Sequence, residues 1–434
     1  MSNRPETNKQ SCPVYKKCGG CQLQNLSYPE QLEFKQRKVE KLLKRFCTVE
    51  KIIGMKTPYH YRNKVQAAFY TDKKGKIISG VYQSGSHHVV GIDSCQTEDV
   101  IADKIIVAVR KLLPSFRMTT YNEDTGKGFL RHILVKRGFA TNQIMLVLVT
   151  GTPVFPSKNN FVKAILKQFP EITTIVQNIN PYRTNLVLGD NQKVLYGKGY
   201  IEDILCGCKF RISPKSFYQI NPVQTEVLYG KAIEFANLKG NETVLDTYCG
   251  IGTIGIIAAK NGAGNVIGAE LNGDAVRDAI VNARANNLKN IRFYKADAGE
   301  FMREAADEDE KPDIVFMDPP RAGSDRKFLD SLIKMSPKKV VYVSCNPETL
   351  ARDLAYLTQN SPYKAQKIQP VDMFPHTAHI ETVVLLSQLK QKPDDYINVT
   401  IELDDMDVTS AETKVTYDEI KKYVAEHNDG MKVS

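Results

Sequence analysis

Residues 242–255, ETVLDTYCGIGTIG, decide how the rest of the chain is read. They give a strand ending at Asp246, a glycine-rich turn and the start of a helix, and Gly250, Gly252 and Gly255 spell G-x-G-x-x-G. That spacing alone is shared by binders of nicotinamide, flavin and S-adenosylmethionine, so its context has to choose. From 242 to about 387 strands and helices alternate through NVIGAEL, DAVRDAIVNARANN, IRFYKADA, PDIVFMDPP and KKVVYVSCNP. Units of this length build a parallel, doubly wound α/β sheet. The last two strands, around YKAQKIQPVDMF and HIETVVLLS, have no helix between them and are predicted to form an antiparallel pair. That ending separates a class I, Rossmann-like methyltransferase sheet from a dinucleotide-binding one.

Upstream, from about 65 to 210, short β-rich runs are interrupted by helices at about 98–113 and 158–168, which predicts an α+β domain with an antiparallel sheet. Three parts follow: residues 1–212, 213–389 and an acidic extension, 390–434, with a helical look at YDEIKKYVAEHN. Before the β-rich part, Ser27 with Glu30 makes a capping box, and Leu32, Val39, Leu42, Leu43 and Phe46 recur at helical spacing. The opposite face reads Lys35, Arg37, Lys38, Lys41, Lys44 and Arg45, and five of those six could be no more than a solvated face. Tyr59, Tyr61, Arg62 and Lys64 then alternate aromatic with cationic side chains, which suits RNA.

Charge agrees with that partner. The net charge is +10, and residues 390–434 hold eleven acids against six lysines, leaving +15 on the body. A basic body suits a polyphosphate partner. No run approaches the ~20 apolar residues of a membrane span, and the N-terminus lacks an apolar signal region, so a cytoplasmic protein with reduced cysteines and no membrane partner is expected. Nine cysteines argue for thiol chemistry or metal ligation.

The strand ends supply the chemistry. Glu270 ends the second strand, where a carboxylate can accept hydrogen bonds from ribose hydroxyls. Asp297 ends the third, and Asp318-Pro319-Pro320-Arg321 ends the fourth, at the edge where open α/β sheets bind ligands. The fifth delivers Cys345 beside the Asp318 turn. Free cysteines are commonly just small hydrophobes. A thiolate here has a task if the acceptor is a pyrimidine, because uracil C5 becomes nucleophilic once something adds at C6. A general base must then take the C5 proton, and Glu381 in H-I-E-T is the candidate.

Together D-P-P-R-A-G, S-C-N-P and F-P-H-T-A-H-I-E-T resemble the signatures of the RNA uracil-C5 methyltransferases, from Cys12 to about Ser387. The resemblance implies Cys345 as nucleophile and Glu381 as base, with Gln219, Tyr248, Glu270 and Asp318 contacting S-adenosylmethionine. Cys12, Cys18 and Cys21 are spaced C-x5-C-x2-C, and Cys95 is similar in placement to the fourth cysteine of the 23S rRNA branch, whose members carry a 4Fe-4S cluster. Thiolate chemistry by itself suits zinc as well. The cluster is expected to serve structure or RNA positioning, remote from methyl transfer. Many members of the family begin with a small β-barrel RNA-binding module, which is not expected with eleven residues before Cys12. The implied partner is 23S rRNA with a flipped-out uridine, not DNA. Other readings are a tRNA or cytosine methyltransferase, a non-catalytic iron-sulfur RNA-binding factor and a nicotinamide oxidoreductase.

Overall fold

The computed structural model describes residues 12–388 apart from 84, 85, 87 and 185. The acidic segment 390–434, with its expected helix, lies outside the described residues. A single turn, α1 (Tyr15–Cys18), precedes α2 (Tyr28–Leu43). The predicted capping box forms: the Ser27 backbone N–H and hydroxyl each donate to the Glu30 carboxylate at 2.7 Å.

Next come β1 (Lys64–Thr71), β2 (Ile77–Tyr82), β3 (Val89–Gly91), α3 (Val100–Leu112), β4 (Leu130–Arg137), β5 (Ile144–Thr150), α4 (Lys158–Gln168), β6 (Ile172–Ile179) and β7 (Asn191–Tyr196). The strands form one sheet, ordered β3-β2-β1-β4-β5-β6-β7. The expectation of an antiparallel sheet needs one correction, since β5 and β6 run parallel. Their connection is the α4 crossover, and a crossover returns the chain in the same direction where a hairpin reverses it. Helices α3 and α4 close one face, with Ile105, Val109 and Phe161 packed on Val65, Phe69 and Ile133.

The hairpin β8 (Ile201–Leu205) and β9 (Cys208–Ile212) leads into α5 (Pro222–Ala236) and then β10 (Thr243–Asp246), α6 (Thr253–Lys260), β11 (Asn265–Glu270), α7 (Gly273–Ala285), β12 (Ile291–Lys295), α8 (Ala298–Asp307), β13 (Ile314–Met317), α9 (Arg326–Met335), β14 (Lys339–Ser344), α10 (Pro347–Asn360), β15 (Tyr363–Val371) and β16 (Glu381–Gln388). The second sheet is ordered β12-β11-β10-β13-β14-β16-β15. It is parallel up to β14, and β16 pairs antiparallel with both β14 and β15, as the missing helix predicts.

Both sheets lie within one compact unit ending at Leu389. An apolar core runs from Leu134, Met145 and Val147 of the first sheet through Ile212 and Leu228 to Val244, Phe316 and Val343 of the second. Helix α2 packs with the second sheet, its Val39 and Leu43 sharing a core with Tyr342, Tyr363 and Ile368. Of the six basic residues, Lys35 is the one that leaves the solvated face there. Lys35 is fully buried, its ammonium 2.5 Å from the equally buried Asp372 carboxylate. The reason is tertiary: Lys35 shares a face with Val39 at i, i+4, and the partner that makes its burial tolerable is more than 300 residues away. No helix among the described residues is long and apolar enough to cross a membrane.

Candidate active site

The order of the second sheet reverses between β10 and β13, and ligands of open α/β sheets bind at the carboxyl ends of strands beside such a reversal. The glycine turn wraps this point. Gly252 has φ +82°, and a Cβ there would stand 2.8 Å from the Phe293 ring, so both conformation and space exclude a side chain. Asp246, 1 % exposed, accepts the Gly255 N–H at 2.8 Å through one oxygen. Its other oxygen is buried without a partner. Burial pushes this carboxyl up to about 7, with the Gly255 N–H opposing and the Asp318 and Glu270 charges adding to the rise. A buried orphan acceptor is costly and points to a group the apo chain lacks, such as a ligand ammonium.

Glu270 closes the turn from β11. Its two oxygens accept the Gly250 N–H at 3.1 Å and the Asn272 N–H at 2.7 Å, and each keeps a lone pair for ribose hydroxyls. Tyr248 stacks near Phe328 with ring centroids 5.5 Å apart, its hydroxyl 3.4 Å from Ser324 Oγ. Asp297 is spent capping α8 through the N–H groups of Gly299 and Glu300.

Across the crevice, β13 and β14 pair in parallel and bring the Asp318 turn beside Cys345, as predicted. Burial pushes the Cys345 thiol up to about 11, the carboxylates of Glu381 and Asp318 push the same way, and the Arg321 guanidinium opposes them. Glu381, 4 % exposed, is held well above the usual carboxylate range by burial and by Asp318, again with Arg321 opposing. Burial alone pushes Asp318 up to about 7. A thiol, two proton-hungry carboxyls and one cation therefore share one site, an arrangement suited to nucleophilic addition followed by proton removal.

Residues 173–389 match the family model described as tRNA (Uracil-5-)-methyltransferase. Curated proteins of Bacillus cereus and Listeria monocytogenes, each described as an uncharacterized RNA methyltransferase, are 44% and 46% identical over 89% and 86% of this chain, and 85% and 83% of theirs. The solved structure of Pyrococcus abyssi tRNA (uracil-54, C5)-methyltransferase in complex with S-adenosyl-L-homocysteine is similar with a TM-score of 0.72 and 30% identity over 87% of both chains. The chain belongs to the tRNA (uracil-5-)-methyltransferase family. It is accordingly an S-adenosylmethionine-dependent RNA methyltransferase, with a class I sheet built as the sequence predicts.

The methyltransferase places Gln219 in the same crevice through a residue that the sequence reading missed. Gln219 Nε2 donates to the Tyr229 hydroxyl at 3.5 Å, and Tyr229, 3 % exposed, faces the charges of Asp318, Glu381 and Asp246. The available signal was its position on the buried face of α5, ten residues after Gln219. Arg321, quoted only as part of a motif, is the cation of the site, and its backbone carbonyl accepts from Asn346 and Thr349 of the β14–α10 corner.

The four predicted cysteines share one neighbourhood. Burial pushes the Cys21 thiol up to about 12, and Cys95, Cys18 and Cys12 all act on it, with Arg62 opposing. A Cβ at Gly20 would stand 3.3 Å from Cys18 Sγ, so the glycine lets the backbone close on the thiol. The thiols are not drawn together tightly enough to hold a metal ion, and no such group of three donors exists elsewhere among the described residues. The chain just after Cys21 is bonded to the loop that leads into Glu381: the Leu23 N–H donates to the His376 carbonyl at 2.9 Å, and the Ala378 N–H to Gln22 Oε1 at 3.2 Å. The cysteine neighbourhood is thus tied to the loop ahead of Glu381.

Proposed function

We propose that this enzyme methylates C5 of a flipped-out uridine in 23S rRNA, and the observation that carries the chemistry is the convergence of Cys345, Glu381 and Asp318. The Cys345 thiolate adds to uracil C6 and leaves an enolate with its density at C5. S-adenosylmethionine supplies an electrophilic methyl group to that carbon. Glu381 takes the C5 proton, the double bond re-forms and Cys345 leaves as thiolate, so the enzyme returns to its starting state once Glu381 sheds the proton. The raised affinity of Glu381 for protons fits a base, and Arg321 favours the thiolate against two carboxylates. Gln219, Tyr248, Glu270 and Asp318 contact the methyl donor, and Asp246 offers its orphan oxygen.

Cys12, Cys18, Cys21 and Cys95 hold a 4Fe-4S cluster in this reading, or zinc as the second choice. Support comes from the donor set, four thiols in one neighbourhood beside Arg62. The cluster would staple residues 12–26 to the rest of the chain. Brown colour with four irons per chain, lost in Cys95→Ser, is the expected result.

The 23S assignment rests on that cysteine quartet. A tRNA substrate is the second reading, favoured by likeness to a solved enzyme named for uracil-54 of tRNA. Mass spectrometry of nucleosides from cells with and without the gene separates them. Loss of 5-methyluridine from 23S sites supports the proposal, loss from tRNA alone moves the enzyme to the second reading, and loss from neither overturns both.

A further inference from the structure

A cavity of about 240 Å³ opens on the first sheet, walled by Tyr70 of β1, Tyr82 of β2 and the turn 121–124. Its walls are braced. Arg131, 1 % exposed, lies 4.4 Å over the Tyr121 ring, bonds both oxygens of Glu123 at 2.8–3.1 Å and donates to the carbonyls of Asn180 and Tyr182. Tyr82 meets the His132 ring edge-on, with centroids 6.0 Å apart and an interplanar angle of 81°. Beside the cavity, the Tyr121 hydroxyl and His132 Nδ1 are buried without a partner.

The position relates the cavity to the active site. Alternate residues of a strand share a face, so Lys64, Gln66, Ala68 and Tyr70 lie along one face of β1. The near end of that face reaches the Gln219 loop: Lys136, opposite Lys64, donates to the carbonyls of Ser213 and Ser216 at 2.8 Å, and Asn63 donates to the Gln219 carbonyl at 3.2 Å. A chain of nucleotides lying along this face from the crevice would arrive at the cavity.

The lining selects among the parts of such a chain. Glu123 is already paired with Arg131, so that cation is not left for a phosphate, while tyrosine rings offer stacking faces and carboxylate oxygens can accept further N–H donors. The volume falls below the ~300–1,000 Å³ of pockets for drug-sized ligands and is enough for one base. We infer that this cavity takes an unstacked nucleobase of the substrate RNA, away from the methylated uridine, with the adjacent N–H donors of guanine as the best match to its carboxylate rim. The inference rests on the RNA methyltransferase reading above and adds a second point at which the RNA is measured.

Two measurements test it. Full-length Cys345→Ala protein is irradiated with 23S rRNA and tRNA transcripts containing 6-thioguanosine, and the cross-linked peptides are sequenced. Cross-links at Tyr70, Tyr82 or Tyr121 are expected; cross-links only elsewhere, or none, overturn the inference. In the otherwise unaltered enzyme, Tyr82→Ala should raise the KM for RNA about tenfold, the scale of one lost aromatic stack, with kcat and the KM for S-adenosylmethionine within twofold. Tyr82→Phe, which keeps the ring, should behave as wild type. An unchanged KM for RNA in Tyr82→Ala overturns the inference. Failure of the proposed activity looks different: the wild-type enzyme then methylates neither RNA, whatever the cross-links show.

Discussion

Cys345 and Glu381 stand at the same end of two antiparallel strands, close enough for the Glu381 charge to act on the Cys345 thiol. Ser344 of β14 pairs with Thr382 of β16, and Cys345 and Glu381 are the next residues beyond that pair. A thiol that adds at C6 of a pyrimidine and a base that takes the C5 proton have to act on neighbouring atoms, and this pairing of strands brings the two side chains to one place.

The first prediction follows from the pairing. Cys345→Ala should abolish methylation, because no addition at C6 takes place. Glu381→Gln should permit addition and methyl transfer but not removal of the C5 proton, leaving protein covalently joined to RNA. A denaturing gel with labelled RNA should show the adduct for Glu381→Gln and none for Cys345→Ala. Normal turnover by Glu381→Gln would remove its role as base.

The second concerns the thiol. With Cys345 pushed up to about 11, the thiol form dominates at neutral pH, and alkylation by iodoacetamide should quicken about tenfold per pH unit below that value. Arg321 is the group that opposes the rise. Arg321→Gln should therefore slow Cys345 alkylation several-fold at pH 8, read peptide by peptide so that the other cysteines do not interfere. An unchanged rate would show that Arg321 does not tune the thiol.

How much of this was legible depends on how local each signal is. The βα alternation, the Ser27 cap and the missing helix before β16 are written within a few residues and appear as read. The parallel β5–β6 pair was not, because periodicity gives a strand no direction. The places of Lys35 and Tyr229 were not legible for a related reason. A lysine in a basic run reads as solvated until Asp372 is known to lie against it, and a tyrosine inside a helix reads as packing until the sheet brings Asp318 and Glu381 to it. The cysteines were visible by spacing, but the bonds from Gln22 and Leu23 to the loop before Glu381 join residues some 350 positions apart.

The third prediction uses Asp246. Its carboxyl titrates near 3.8 in the unfolded chain and is pushed up to about 7 in the folded one. Between those values the folded chain holds a proton that the unfolded chain has lost, so stability falls as pH rises through the window. Asp246→Asn keeps an oxygen for the Gly255 N–H and removes the charge. At pH 8 it should stabilise the ligand-free protein by on the order of 1–4 kcal/mol, with little effect near pH 4, while weakening S-adenosylmethionine binding. Thermal melts at the two pH values check the sign; equal melting shifts at both would show that the buried charge is not the cause.

The last concerns the tether of the loop ahead of Glu381. Lys35 holds the Asp372 carboxylate at 2.5 Å and the Phe374 carbonyl at 3.0 Å, and Tyr28 donates to the other Asp372 oxygen at 2.9 Å. Lys35→Met leaves a buried carboxylate without its cation and should cost roughly 3–5 kcal/mol. Replacing both members, Lys35→Met with Asp372→Leu, removes the stranded charge and should recover most of that loss, because apolar side chains often substitute for a buried ion pair. Activity should not recover with it. The carbonyl of Phe374 keeps only its local donors, the Thr377 N–H and hydroxyl, and the bond from α2 to the loop ahead of Glu381 is gone. Denaturant melts should thus rank wild type and the double variant together above Lys35→Met, whereas kcat should place both variants well below wild type. A double variant with wild-type kcat would mean that the pair contributes stability alone.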